Sequence, residues 1–302
     1  MTGCGTNCEC GGKEADAEIA PETALAVIPG VRDVVLIASG KGGVGKSTLT
    51  VNLAASLTAR GLRTGVLDAD LTGPSVARML GSGEGLATDE QGRAVPAFAH
   101  GIWSVSMGNL VPPEATLAWK GPIITQATVQ MFREVAWPDL DVLLVDLPPG
   151  TGDVQLTILE QIPVAGAVIV STPQKLATID AERGIAMFHE LDIPVFGLVE
   201  NMFTFICPCC GEEQPLFGAG QVEALAKRRH VPFLGRVPLD PAAQSAADDG
   251  SPLVTASPQS AAAKAFGDLA GKTLEALERD RKGRGKMDPA ESDAFWRRLV
   301  DE

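Results

Sequence analysis

The chain has 302 residues, 45% hydrophobic and 21% charged, which is enough apolar material for a sizeable α/β core and too much for global disorder. Its formal net charge of −13 argues against non-specific DNA binding, which requires a cationic face to displace counterions. No secretory-type apolar run begins the chain, and no stretch approaches the roughly 20 apolar residues that span a bilayer. We therefore expect a cytoplasmic protein that partners neither nucleic acid nor a membrane.

Predicted strands and helices alternate along the chain. A continuous apolar run over residues 33–39 predicts a strand buried on both faces, and leucines at helical spacing predict a helix over residues 47–60. Further strands are predicted over residues 64–68, 141–146, 166–171, 194–200 and 232–237, and further helices over residues 180–191 and 258–279. This alternation predicts a doubly wound α/β fold with a mostly parallel sheet, in which ligands bind at the carboxyl ends of the strands.

A glycine-rich loop joins the first predicted strand to the first helix and has the form of a P-loop, G-x-x-x-x-G-K-S, in the strand–loop–helix context that the motif requires. The residues expected to bind ATP are Gly40, Lys41, Gly42, Gly43, Val44, Gly45, Lys46, Ser47 and Thr48. The backbone N–H groups and the helix N-terminus favour phosphate binding. Lys46 is expected to reach the β- and γ-phosphates, and the Ser47 hydroxyl to bind Mg²⁺.

A carboxylate also ends the predicted strand 141–146. Asp146 opens the segment DLPPGTGD, which has the form of a Walker B strand running into a switch segment. We expect Asp146 to hold Mg²⁺ directly or through water, and Gly150 and Gly152 to let the segment move when the γ-phosphate is lost.

A second lysine, Lys41, precedes the paired glycines of the P-loop, although Lys46 already serves the phosphates. This two-lysine loop resembles that of the MinD, ParA, ArsA and nitrogenase iron-protein class, which belongs to the SIMIBI P-loop NTPases. The resemblance implies a homodimer that sandwiches two ATP molecules. It implies that Lys41 reaches the partner's nucleotide and neutralises charge during transfer, as an arginine finger does. It also implies that Asp70 positions the attacking water and that Asn201 and Pro238 contact adenine.

The cysteines fall into two clusters, and the second contains the pair Cys207 and Cys210 between a predicted strand and the next helix. In a reducing compartment, clustered cysteines favour metal ligation over disulfides. Two thiolates are half of the four that structural zinc and iron–sulfur clusters usually take. A symmetric dimer supplies the other two and places the shared site on its two-fold axis.

Residues 33 to about 276 resemble the Mrp/ApbC/NBP-type iron–sulfur cluster carriers. Besides the P-loop, the resemblance is carried by DADLTGPS at 68–75, KGP at 120–122, DLPPGTGD at 146–153, STPQ at 171–174, ENM at 200–202 and CPCCG at 207–211. It implies a slow ATP hydrolase that holds a bridging 4Fe–4S cluster at Cys207 and Cys210. It further implies transfer of that cluster to apoproteins in a cycle coupled to ATP.

Some cysteines depart from the family pattern. The family usually has another residue at the position of Cys209, which is either an alternative ligand or a bystander. Cys4, Cys8 and Cys10 lie in the leader and could hold a second cluster, accept one transiently, bind adventitious metal or be free. Cys-Pro-x-Cys-Gly is also the form of a zinc knuckle, so a structural zinc stays an alternative. A MinD/ParA-type positioning ATPase is a second alternative, but it leaves Cys207 and Cys210 without a purpose.

The domain organisation follows from these segments. Residues 1–30 are expected to form a flexible cysteine-containing leader, and residues 31–279 a P-loop ATPase domain with its cysteine loop. Residues 280–302 form a charged tail, in which Phe295 and Leu299, like Trp296 and Val300, are spaced for a short amphipathic helix.

Overall fold

The computed structural model describes residues 27–71, 73–83, 85–110, 121–207, 209–218 and 220–284. The strands in these ranges are β1 (Val34–Ser39), β2 (Thr64–Asp68), β3 (Ala97–Ala99), β4 (Ile102–Ser106), β5 (Val142–Asp146), β6 (Gly166–Ser171), β7 (Val195–Ile206), β8 (Glu213–Pro215) and β9 (Phe233–Leu239). The helices are α1 (Lys46–Thr58), α2 (Val76–Met79), α3 (Met107–Leu110), α4 (Gly121–Arg133), α5 (Asp153–Gln161), α6 (Lys175–Glu190), α7 (Gln221–Arg229), α8 (Pro241–Asp248), α9 (Leu253–Ala256) and α10 (Ala261–Arg284).

The strands form one sheet in the order β3-β4-β2-β5-β1-β6-β7-β8, with β9 paired to β7. Strand β1 lies at the centre, parallel to β5 on one side and to β6 on the other. Only the short strands β3 and β8 run antiparallel to their neighbours among the described pairings. The predicted fold class, a doubly wound α/β fold with a mostly parallel sheet, is confirmed.

The sheet separates two hydrophobic cores, and β1 contributes to both. Its residues alternate between the faces, so Leu36 joins one core and Val35 the other. The first core includes Phe188 of α6 and side chains of α4, α5 and α7. The second includes Leu53 of α1 and side chains of α2, α8, α9 and α10. Burial on both faces explains why the strand has a continuous apolar run.

Several elements differ from the sequence-based expectation. The elements that were not predicted are α2, α3, α4, α5, α8, α9, β3, β4 and β8, and all of them except the 13-residue α4 are short. Strand β7 continues to Ile206, because its last residues pair with β8. Helix α10 spans Ala261–Arg284, whereas the helix was predicted over residues 258–279. None of the helices in the described ranges combines the length and apolar composition that a bilayer crossing requires.

Candidate nucleotide site and cysteine loop

The P-loop (residues 40–48) follows β1 and leads into α1, at the carboxyl edge of the sheet. Gly45 precedes the helix with a φ of 86°, a left-handed conformation that suits glycine. A Cβ atom at Gly45 would lie 2.2 Å from Nδ2 of Asn201, so a larger residue also has no room. As the N-cap residue, Gly45 has no side chain with which to cap α1, which leaves the first backbone N–H groups of the helix for an anionic ligand.

The charged centre of the site is a buried pair at the start of α1 and the end of β5. Lys46 Nζ lies 2.8 Å from Oδ2 of Asp146, which is fully buried. The Ser47 hydroxyl donates to the same carboxylate oxygen at 2.6 Å. The Thr50 hydroxyl donates to the other oxygen at 2.7 Å. The three residues predicted to meet the β- and γ-phosphates and Mg²⁺ are therefore in direct contact.

Strand β2 brings two more carboxylates to this edge. Asp70 Oδ2 lies 4.0 Å from Lys46 Nζ, so the predicted catalytic aspartate faces the same cation. Asp68 is fully buried, and its Oδ2 accepts hydrogen bonds from the backbone N–H groups of Ser75 and Val76 and from the Ser106 hydroxyl. Its Oδ1 accepts one from the Asp70 N–H at 3.2 Å. Burial, and after it the nearby Asp146 carboxylate, raises the pKa of Asp68 to about 7.

The second lysine of the P-loop points away from this centre. Lys41 Nζ donates to the side-chain carbonyl of Gln174 at 3.2 Å, just before α6 begins. The close passage of α6 also explains Gly40, because a Cβ atom there would lie 2.3 Å from the backbone of Asp180. Lys41 therefore lies at the rim of the P-loop, and among the described residues its ammonium is restrained by this half-buried hydrogen bond.

The two residues predicted to contact adenine lie on neighbouring strands. Asn201 is 8% exposed, and its carboxamide N–H donates to the Val44 carbonyl of the P-loop at 2.8 Å. Pro238 lies in β9 and is half-buried. Their contact with a base stays a prediction.

The cysteine loop follows β7 directly. The Cys207 carbonyl accepts a hydrogen bond from the Gly211 N–H at 2.9 Å, and the Cys207 N–H donates to the Glu212 carbonyl at 3.0 Å. Cys207 is half-buried, whereas Cys209 and Cys210 are exposed. Hydrogen bonds to the Cys207 sulfur from the backbone N–H of Cys210, and then from that of Cys209, lower its pKa. The turn thus favours the thiolate form of Cys207, which is the form that binds metals.

The structure gives a role to three residues to which the motifs assigned none. Thr50 lies one helical turn after Lys46 and holds Asp146 from the second side. Asp68 organises the segment that carries Asp70, and Gln174 holds Lys41. Spacing within the helix could have indicated Thr50, but the other two contacts form only through the tertiary fold. Cys4, Cys8, Cys10 and the predicted helix of the tail lie outside the described residues.

A second buried network supports the strand that leads to the cysteines. Glu200 of β7 is fully buried and accepts hydrogen bonds from the Val222 N–H at 3.1 Å and from Arg236 Nε at 2.9 Å. Arg236 also pairs with Glu223 at 2.5 Å and lies 4.6 Å from the ring centroid of Phe203. This network joins β7, β9 and the start of α7.

The fold and the site are those of a P-loop NTPase. A P-loop joins the central parallel strand to a helix with free N-terminal N–H groups, and carboxylates lie at the ends of two adjacent strands. The chain belongs to the family described as NUBPL iron-transfer P-loop NTPases of the ParA group, whose model matches residues 30–274. The resemblance drawn from the motifs is thereby confirmed.

Comparisons with individual proteins agree. The chain is 45% identical over 251 residues to the iron–sulfur cluster carrier protein of Escherichia coli K12, covering 83% of this chain and 68% of that protein. It is 50% identical over 240 residues to the iron–sulfur cluster carrier protein of Deinococcus radiodurans, covering 79% and 68%. It is 42% identical to an Arabidopsis thaliana mitochondrial iron–sulfur protein required for NADH dehydrogenase, covering 84% and 81%.

Solved structures give the same fold. A nucleotide-binding protein from Archaeoglobus fulgidus in complex with ADP is 37% identical, with a TM-score of 0.65 over 73% of this chain and 87% of that one. The cell division ATPase MinD of Pyrococcus furiosus is 22% identical, with a TM-score of 0.61 over 80% and 98%. The second comparison supports the fold alone.

Proposed function

We propose that this protein is an ATP-dependent iron–sulfur cluster carrier. Two copies hold a 4Fe–4S cluster at Cys207 and Cys210 and transfer it to apoproteins. The observation that carries the proposal is the pair of accessible thiols at the end of β7, in a chain 45–50% identical to bacterial proteins named as such carriers.

The nucleotide site supports ATP binding and hydrolysis. The uncapped N-terminus of α1 and Lys46 bind the phosphates, and Asp70 orients the attacking water near them. The Ser47 hydroxyl and the Asp146 carboxylate meet at 2.6 Å and form the hard-oxygen donor set that suits Mg²⁺. When bound, Mg²⁺ neutralises charge on the β- and γ-phosphates.

The dimer follows from the number of ligands. Within the described residues, no group of three or more His, Cys, Asp or Glu side chains is arranged to hold a metal ion. A 4Fe–4S cluster takes four thiolates, so Cys207 and Cys210 of two copies together complete the set. Lys41 lies at the rim, from which it can leave Gln174 and reach the partner's nucleotide. Hydrolysis by an isolated subunit is then slow, because the subunit lacks this second cation.

Anaerobic reconstitution with iron and sulfide tests the proposal. We expect the wild-type protein to gain the absorbance and Mössbauer spectra of a 4Fe–4S cluster, at one cluster per dimer. Cys207→Ala, Cys210→Ala should lose this bridging cluster. Cys209→Ala is the matched control, because it removes a thiol of the same loop that is exposed, as Cys210 is. A bridging cluster that survives the double substitution contradicts the assignment.

Metal analysis of the wild-type protein distinguishes an iron–sulfur cluster from zinc, which binds similar thiolates. Protein purified from cells without oxygen should contain iron and sulfide. Stoichiometric zinc without iron would overturn the carrier function and favour a structural zinc at the dimer interface. Cluster transfer is measured as the activation of an apo-enzyme that needs a 4Fe–4S cluster. The control replaces the carrier with free iron and sulfide in the presence of a chelator.

A further inference from the structure

Strand β7 physically connects the P-loop with the cysteine loop. Its first part, Val195 to Glu200, pairs with β6 inside the sheet. Its last part, residues 201–206, continues beyond the end of β6, and we call it the β7 arm. The arm begins at Asn201, which contacts the P-loop, and ends directly before Cys207. Six residues of strand span roughly 20 Å, so one short element reaches both sites.

The contact at the start of the arm is tight. Asn201 Nδ2 lies 2.8 Å from the Val44 carbonyl, and the side chain is buried. The neighbouring residue, Met202, also faces this part of the P-loop, since its Cε would lie 3.7 Å from a Cβ at Gly45. A shift of the P-loop backbone around Val44 and Gly45 would therefore displace the contacts of two consecutive residues of the arm.

The arm itself has a built-in irregularity. Met202 has a φ of 56°, a left-handed conformation that is uncommon for a residue with a side chain. The pairing of β7 with β9 shifts register between Asn201 and Phe205. Beyond this point, Thr204 to Ile206 pair with β8 and form a hairpin that carries the cysteines. The hairpin stays paired to the sheet through Phe205 and Leu239, the last residue of β9. It can change its angle at Met202 together with this end of β9, without breaking the buried ladder between β6 and β7.

The residues before the irregularity are fixed. Glu200, one position before Asn201, is buried and bonded to the start of α7 and to Arg236. The backbone of β7 therefore cannot slide as a whole when the P-loop binds phosphate. The motion available to the arm is a local one, set at its P-loop end by the hydrogen bond of Asn201.

We propose that Asn201 is a positioning residue that transmits the nucleotide state of the P-loop to Cys207 and Cys210. Bound phosphate fixes the P-loop backbone, including the Val44 carbonyl, and Asn201 then fixes the arm and the hairpin beyond it. A ligand shifts a conformational equilibrium only through contacts that differ between the states, and the Asn201–Val44 bond supplies that contact. The inference rests on the proposed function in treating Cys207 and Cys210 as the cluster ligands.

The test measures thiol reactivity in the reduced, metal-free full-length protein and needs no cluster. Iodoacetamide alkylation of Cys207 and Cys210 is followed by peptide-resolved mass spectrometry, with and without saturating ADP. ADP is chosen because ATP also brings two subunits together under the proposed function. We expect ADP to slow alkylation by roughly fivefold in the wild type, the lower end of ordinary allosteric coupling.

Two variants remove the coupling contact. Asn201→Asp keeps the size of the side chain but cannot donate to the Val44 carbonyl, and Asn201→Ala removes the side chain. In both, we expect saturating ADP to leave the alkylation rate unchanged within twofold. Asn109→Ala is the matched control. It deletes another buried carboxamide, one that bonds the Gly83 carbonyl far from β7, and it should keep the full response to ADP.

Two results overturn the inference: a wild-type rate that ADP does not change, or Asn201 variants that keep the full response at saturation. The second result is what a simple adenine contact predicts, because it weakens ADP affinity without uncoupling the thiols. Failure of the carrier function gives a different pattern. The ADP response then persists in the wild type, but no cluster forms on reconstitution.

Discussion

Lys46 Nζ lies 2.8 Å from Asp146 Oδ2, with the lysine 7% exposed and the aspartate fully buried. The two residues are predicted to bind different parts of the ligand: Lys46 binds the phosphates, and Asp146 binds Mg²⁺. In the structure they neutralise one another. A buried charge without a partner is strongly unfavourable, so nucleotide and metal have to replace both halves of the pair together. We therefore expect nucleotide affinity to depend steeply on Mg²⁺.

The first prediction concerns Asp146→Asn. The carboxamide removes the anionic metal ligand, and Lys46 is freed for the phosphates. We expect the ratio of ADP affinities with Mg²⁺ and with EDTA, measured by titration calorimetry, to fall to about 1, with hydrolysis at least roughly 100-fold slower. Thr50→Val is the control. It removes a hydrogen bond to the other carboxylate oxygen and should keep the Mg²⁺ dependence. Full dependence in Asp146→Asn would contradict the metal assignment.

The second prediction concerns Lys41→Ala. Lys41 contacts Gln174 at the rim, so its loss should leave ATP affinity within about threefold and slow hydrolysis by at least about tenfold. Lys175→Ala is the matched control, because it removes an exposed lysine one residue beyond Gln174. An unchanged hydrolysis rate in Lys41→Ala would remove the case for a catalytic lysine.

Mixed dimers test whether Lys41 acts across the interface. Lys41→Ala and Asp70→Ala are each expected to hydrolyse ATP at least about tenfold more slowly than the wild type. In a mixed dimer, the Lys41→Ala subunit keeps its Asp70, and the Asp70→Ala subunit supplies an intact Lys41 to its nucleotide site. One of the two sites is therefore complete. Mixing the two variants should restore about a quarter of wild-type activity, because half of the randomly assembled dimers are mixed and each has one complete site. No restoration would mean that Lys41 acts within its own subunit.

The sequence predicts the central part of this protein well, for a physical reason. The P-loop and Asp70 follow strands and Asp146 ends one, and parallel strands bring their carboxyl ends to one edge of a sheet. Local sequence therefore determines that these residues meet. The β7 arm could not be predicted in this way. Asn201 and Val44 are 157 residues apart, and an amide that bonds a backbone carbonyl carries no motif. The hydrogen bond between Lys41 and Gln174 could not be predicted from the sequence for the same reason.

The third prediction is a pH dependence set by Asp68. Burial, and after it the Asp146 carboxylate, raises the pKa of Asp68 from 3.8 to about 7. Between about pH 4 and pH 7 the folded protein then binds this proton and the unfolded chain does not. Proton binding by Asp68 therefore contributes to the free energy of unfolding. This contribution is present in full below about pH 4 and is lost as the pH rises through 7. Over this window it amounts to at most about 4 kcal/mol.

Asp68→Asn isolates this contribution, because a carboxamide does not titrate. The free energy of unfolding is measured by urea denaturation of the nucleotide-free protein between pH 4.5 and pH 8. We expect the wild type to lose stability relative to Asp68→Asn as the pH rises, whatever the absolute cost of the substitution. A difference between the two proteins that stays constant with pH would show that Asp68 is ionised throughout.

The last prediction compares an ion pair whose carboxylate is fully buried with one whose two side chains both reach solvent. Arg236 is the side-chain partner of Glu200, whose carboxylate is fully buried and otherwise accepts a hydrogen bond from the Val222 N–H. Arg236→Met keeps most of the packing against Phe203 but leaves that charge uncompensated. We expect the free energy of unfolding to fall by about 2 kcal/mol or more, measured by urea denaturation at pH 7.

Arg229→Ala is the comparison for this prediction. Arg229 lies 2.7 Å from Glu182, closer than Arg236 lies to Glu200, but the Glu182 side chain is 29% exposed whereas that of Glu200 is fully buried. Exposed pairs contribute little, so this substitution should change stability by less than about 1 kcal/mol. Equal losses in the two variants would mean that the Glu200 network is no more than a surface contact. The backbone of β7 would then lack the fixed point against which the arm moves.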